Sequence, residues 1–150
     1  YKRQHLASVS FKDHVVERIQ RRPRGTSPNP IKEETAKRAI AFAEQYAREL
    51  KRKNSQFSFQ KTIVGVGGVF GFSLAGQLGK TTFQASDIEE AYPKLIARRS
   101  DEISGDFRDT ESTNLLLVLG LLRGFGLENH PIVVKKANLS DGVLTSPAYH

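Results

Sequence analysis

Residues 63–68, Ile63-Val64-Gly65-Val66-Gly67-Gly68, hold the arrangement in this sequence that points most directly to chemistry. A short β-branched run ending in glycines reads as a buried strand that turns into a helix beginning near Val69. Glycines at such a turn leave backbone N–H groups bare. An anion can then approach the chain closely, and the dipole of the following helix adds favourable charge. The chemistry on offer is phosphate binding by main-chain donors, with Gly65, Gly67, Gly68 and Val69 as the candidate residues. A tight turn that packs a strand closely on its helix would use the same glycines, and the pattern alone leaves both readings open.

Other motifs fail on spacing. The dinucleotide fingerprint needs a glycine where Phe70 stands. Gly79-Lys80-Thr81 resembles the end of a P-loop, but the loop's first glycine would fall at Leu74, and a helix rather than a strand is predicted before it. Lys80 therefore reads as an exposed loop lysine. His5, His14, His130 and His150 show no metal-ligand spacing, and the absence of cysteine excludes disulfides, thiolate chemistry and cysteine-based zinc sites. No Gly-x-Ser-x-Gly elbow occurs. Asp101, Glu102, Asp106, Asp109 and Glu111 suit either a metal or acid–base site or a solvated loop leading into a helix, and the loop is the expectation. No metal ligand is assigned.

The elements that must position the glycine turn follow from periodicity. Phe11, Val15, Val16 and Ile19 predict a short helix after an extended arm, with Ser10 as its cap and Asp13 in its first turn. The loop at 21–30 is rich in proline and arginine. Asn29 and Pro30 then predict a helix start, and Lys51-Arg52-Lys53 suits its end. Ile31, Thr35, Ala39, Phe42, Ala43, Tyr46 and Leu50 form its apolar side. Ser86-Asp87-Ile88-Glu89 signals another helix start, with a disturbance at Pro93. Residues 110–125 predict a strongly apolar helix, and Ile132-Val133-Val134 a second buried strand. Ser140-Asp141-Gly142 follows on a turn. Strands alternating with helices predict an α/β layered fold in a single domain over 1–150.

The chain has 150 residues, with 23 basic against 16 acidic and a net charge of +7. Such a surface suits a polyanion, whether nucleic acid, anionic lipid or a phosphate polymer. No aromatic residues interleave the basic clusters at Arg21–Arg24, Lys51–Lys53 and Arg98-Arg99 as a base-stacking platform would require, so a general nucleic-acid binder ranks last among the readings. No apolar run is long enough for a membrane span and no secretion signal is visible, which makes the cytoplasm the expected compartment. The chain starts at Tyr1 and contains no methionine, as expected of a fragment or processed product.

Three stretches, taken in order, resemble the exopolyphosphatase / guanosine pentaphosphate phosphohydrolase family of the actin–hexokinase–Hsp70 superfamily. They are Ile63–Gly68, the segment from Arg108 through Asn114 to Phe125, and Ala137-Asn138-Leu139-Ser140-Asp141-Gly142-Val143-Leu144. The likeness runs over roughly residues 10–146 and is to the second lobe. It implies a ribonuclease-H-like lobe, a mixed sheet with flanking helices, belonging to a two-lobed phosphatase whose first lobe is absent from this chain. It further implies hydrolysis of terminal phosphoanhydride bonds in polyphosphate or guanosine pentaphosphate, with Mg²⁺ as cofactor and a general base supplied from outside these residues. In that reading Gly65, Gly67, Gly68 and Val69 bind phosphate, and Arg108, Ser140, Asp141 and Gly142 border the cleft. The expected partners are the phosphate substrate, the other lobe and a second copy forming a homodimer, and residues 1–150 alone are expected to be inactive. Val69 and Phe70 depart from the family, which commonly has a hydroxyl after the two glycines. This motivates the alternative of a non-catalytic sensor of nucleotide or phosphate.

Overall fold

The computed structural model describes residues 6–54 and 62–135. The arm at 1–5 and the predicted turn Ser140-Asp141-Gly142 lie outside the described residues, as do His5 and His150.

The chain opens with helix α1 (Ser8–His14), which widens into a π-helical turn over Val15–Ile19. Phe11, Val15 and Val16 are fully buried, as their spacing predicts. The cap is displaced from the expectation. Ala7 takes the N-cap position, and Ser10 folds back on it, accepting from the Ala7 N–H at 2.9 Å. His14 stacks on Phe42 with ring centroids 3.7 Å apart, and burial, reinforced by the Arg18 charge, holds its imidazole below the ordinary histidine range.

Helix α2 (Glu33–Lys53) ends where its basic residues predict but begins later than Asn29-Pro30 suggests. Tertiary bonds take the residues that would have started it. Asn29 Nδ2 donates to the Arg108 carbonyl at 3.2 Å, and the Ile31 N–H donates to the Ile96 carbonyl at 2.8 Å. The buried face of α2 is Ala36, Ala39, Ile40, Ala43 and Ala47, which lets helix α5 (Arg108–Phe125) approach closely. A Cβ at Gly120 would lie 2.6 Å from both the Ala43 Cβ and the Ile40 carbonyl oxygen, and one at Gly124 would lie 2.5 Å from the Ala47 Cβ. Two small faces thus meet backbone to backbone. On its other sides α5 buries Leu115, Leu116 and Leu119 completely, each contributing about 1.5–3 kcal/mol by leaving water.

Three short strands form a mixed sheet in the order β1 (Ile63–Gly65), β3 (Ile132–Val134), β2 (Thr82–Phe83). The central β3 runs parallel to β1 and antiparallel to β2. Ile63, Ile132 and Phe83 align across the sheet and face the core, while the next row, Val64, Val133 and Thr82, faces away. Val64 is half exposed, so β1 is covered on one face only and is not the fully buried strand its composition predicts. Strand β2 has no counterpart among the sequence expectations.

Between β1 and β2 the chain forms a helix that starts as a π-helical turn over Val69–Leu74 and tightens into α3 (Ala75–Leu78). Helix α4 (Ala85–Ile96) is started by Asp87, whose Oδ2 accepts from the Gln84 N–H at 2.8 Å. It runs through Pro93 rather than breaking there. Ile88 and Ile96, buried on either side, hold the amphipathic face down despite the missing N–H. The result is an α/β fold with a small mixed sheet and flanking helices. No described helix is long and apolar enough to cross a membrane.

Candidate functional site

The candidate phosphate-binding glycines fall into two groups that their residue type does not distinguish. Gly65, the last residue of β1, is buried, and a Cβ there would fall 2.6 Å from Cδ1 and 2.7 Å from Cγ of Phe70. Its bare Cα makes room for the Phe70 ring and so brings the helix onto its strand. Gly67 and Gly68 are different. Gly67 has φ +82, a conformation that favours glycine, whereas Gly68 is already helical, with φ −61 and ψ −36. Among the described residues, and apart from the immediate chain neighbours, no atom lies within 4 Å of where a Cβ would stand at either residue. The outer side of this turn is open backbone.

The first main-chain bond of the helix runs from the Gly71 N–H to the Gly67 carbonyl, at 2.8 Å. The N–H groups of Gly68, Val69 and Phe70 lie ahead of it, where a helix has donors without intrahelical acceptors. Val69 is half buried and packs on the hydrophobic core, so it offers this turn an amide and no side-chain donor. Arg108 occupies the first position of α5 with its side chain exposed, and its carbonyl accepts from Asn29. Ser140, Asp141 and Gly142 lie outside the described residues.

A buried hydrogen-bonded chain stands behind the turn. Ser73 Oγ accepts from Asn114 Nδ2 at 3.2 Å and from Gln77 Nε2 at 3.1 Å. Asn114 Oδ1 accepts from Ser8 Oγ at 2.6 Å. Gln77 Nε2 also donates to the Glu111 carbonyl at 2.9 Å, and its Oε1 accepts from Arg98 at 2.8 Å. Sequence reasoning gave Ser8, Ser73 and Gln77 no role, and took Asn114 and Arg98 only as parts of a longer helix and of a basic cluster. The one signal was an asparagine immediately before a run of leucines, where an amide must find partners to be buried. Beside them, burial outweighs the Arg98 charge and holds the Glu111 carboxyl above its ordinary range.

The other sequence candidates take up structural positions. Lys80 is exposed and pairs with Asp87, and their hydrogen bond holds the Asp87 carboxyl below its ordinary value. Asp101 pairs with Arg99, and Glu102 accepts from the Arg99 N–H at 2.6 Å. Among the described residues no group of three or more His, Asp or Glu stands close enough to hold a metal ion.

No family model matches the sequence, and no curated protein does. Solved structures do match. A Ppx/GppA family member from Aquifex aeolicus superposes with a TM-score of 0.65 at 17% identity, covering 92% of this chain and 45% of that one. The fold is that of Ppx/GppA proteins. The type II variant of the Aquifex aeolicus Ppx/GppA phosphatase gives a TM-score of 0.59, also at 17% identity, with 92% of this chain and 46% of that one covered. A further structure of the Aquifex aeolicus enzyme gives 0.61 at 20% identity, with 93% and 46% covered. The chain thus spans under half the length of the Ppx/GppA structures it matches, an extent consistent with a single lobe.

Proposed function

We propose that this chain is the second lobe of a two-lobed Ppx/GppA-type phosphatase acting on terminal phosphoanhydride bonds of polyphosphate or guanosine pentaphosphate. The observation that carries the reading is the Gly67–Gly68 turn. Among the described residues it combines open backbone, an approach free of side chains and unbonded first-turn donors at the start of a helix, in a chain with the Ppx/GppA fold. Its part in the reaction is to hold phosphate oxygens with the amides of Gly68, Val69 and Phe70, so that charge developing on the transferred group meets fixed donors. The general base and any Mg²⁺ ligands come from the other lobe. Gly65 supports the turn from behind by accommodating Phe70. Arg108, Ser140, Asp141 and Gly142 remain proposed cleft residues.

Joined to its other lobe and supplied with Mg²⁺, the protein is expected to release phosphate from polyphosphate or guanosine pentaphosphate, and residues 1–150 alone are expected to release none. Gly68→Ala gives the sharper test of this lobe. Gly68 is helical and faces open space, so alanine should leave stability unchanged or raise it by about 0.5–1 kcal/mol. The added methyl stands where a phosphate would approach, so tripolyphosphate affinity measured by calorimetry should fall. Unchanged affinity in the stable variant would reject the turn as the phosphate site.

Val69 favours a second reading, a sensor that binds phosphate or nucleotide without turning it over. Because Val69 packs on the core, the turn grips only through its backbone. Under that reading Val69→Thr changes affinity and creates no activity, and turnover by the unmodified two-lobed protein contradicts it.

A further inference from the structure

A polar chain crosses the interior behind the glycine turn, linking α1, α5, the helix after Gly68, and Arg98 just beyond α4. Its two central members are almost wholly buried, Asn114 at 3% exposure and Ser73 at 5%. Buried amides and hydroxyls are costly unless bonded, and an apolar pair of similar volume would have filled this space at no such risk. What the polar pair adds is direction. Two amide donors, from Asn114 and Gln77, converge on the one Ser73 hydroxyl.

Ser73 lies five residues after Gly68, within the π-helical turn, where the Ala75 N–H reaches back to the Phe70 carbonyl. A widened turn has looser main-chain geometry than an α-helix, so the rotation of its start depends on what holds it from outside. Leu74, the neighbour of Ser73, is fully buried but makes only non-directional contacts, which tolerate rotation about the helix axis. The Asn114–Ser73 bond does not. Ser8 holds the Asn114 oxygen, which points the Asn114 amide group at Ser73.

We propose that Asn114, acting through Ser73, is a positioning residue for the Gly67–Gly68 turn: it fixes the rotation of the helix and so aims the amides of Gly68, Val69 and Phe70. The inference rests on the reading of that turn as a phosphate site. Neither residue touches the phosphate. Their effect is on the orientation of donors, which a flat loss of stability would not mimic.

The test uses amide NMR spectra, tripolyphosphate titration and urea unfolding of the same variants. Ser73→Ala and Asn114→Leu should shift the amide resonances of residues 68–70 and weaken tripolyphosphate binding about tenfold, the equivalent of losing one buried hydrogen bond. Thr113→Val is the control, since it removes a bond from a fully buried hydroxyl to the Thr110 carbonyl, one residue from Asn114, without touching Ser73. It should lower stability while leaving those amides and the affinity unmoved. Should Asn114→Leu fail to fold, the milder Ser73→Ala decides. Unmoved amides in folded Ser73→Ala, or equal shifts in Thr113→Val, overturn the proposal. Shifted amides in Ser73→Ala, in a protein whose unmodified form does not respond to tripolyphosphate, uphold the positioning and reject the phosphate reading.

Discussion

Replacing Gly120 with alanine should destabilise the protein, whereas the same replacement at Gly76 should stabilise it. Both glycines are helical, so both substitutions gain about 1 kcal/mol of helix propensity. Their surroundings differ. At Gly76 no atom lies within 4 Å of the new methyl, so the gain stands alone. At Gly120 the methyl would be 2.6 Å from the Ala43 Cβ and the Ile40 carbonyl oxygen, and 3.0 Å from the Glu44 nitrogen. Two of these three atoms are backbone, which no rotamer change can move. Comfortable carbon contacts are about 3.5–4.0 Å, so α5 must withdraw from α2 by about 1 Å. Overpacking of this kind costs about 1–3 kcal/mol, and backbone partners place it at the upper end. After the propensity gain, a net loss of about 2 kcal/mol is expected. Urea unfolding followed by circular dichroism reads both variants, with the slope checked for constancy. Adding Ala43→Gly should relieve one of the three contacts and recover part of the loss. A Gly120→Ala protein as stable as the original would refute the close crossing of α2 and α5.

The other expectations concern the turn and two carboxylates. Gly65→Ala drives a methyl into the Phe70 ring and should cost about 1–3 kcal/mol, and Phe70→Leu should be less damaging in that background than alone; strict additivity in a double-mutant cycle would contradict the packing. Glu111 has its folded pKa raised from 4.5 by burial, so the folded state holds the proton more tightly and stability falls as pH rises from 4.5 through the folded value. Glu111→Gln removes that fall, so its stability relative to the original should climb with pH over this range; a flat difference would refute the assignment. Asp87, held below 3.8 by Lys80 and the Gln84 N–H, contributes stability that is present above 3.8 and lost as pH drops through its lower folded value. Asp87→Ala should cost about 1 kcal/mol at neutral pH through the lost helix start, and a variant of unchanged Tm would show that the cap contributes nothing.

The sequence by itself determined the elements whose signals are local. The apolar helix at 110–125, the strand Ile132–Val134, the basic end of α2 and the strand–turn–helix at 63–69 follow from periodicity and turn chemistry. The ordered motifs also pointed to the Ppx/GppA fold, although identity to the matching structures is only 17–20%. Tertiary structure decided the rest. The start of α2 moved because Asn29 and Ile31 bond to residues 79 and 65 positions away, at Arg108 and Ile96. Strand β2 has two residues, too few to show a period, and exists because β3 offers it an edge. The half-exposed face of β1 leaves no local mark in the sequence, and Asn114 before its leucines signals only that its amide needs partners, not that Ser73 is one of them. The glycine turn shows the division most clearly. Composition marked Gly65, Gly67 and Gly68 alike, but a missing Cβ means only what surrounds it. Around Gly65 that is the ring of Phe70, and beside Gly67 and Gly68 it is open space.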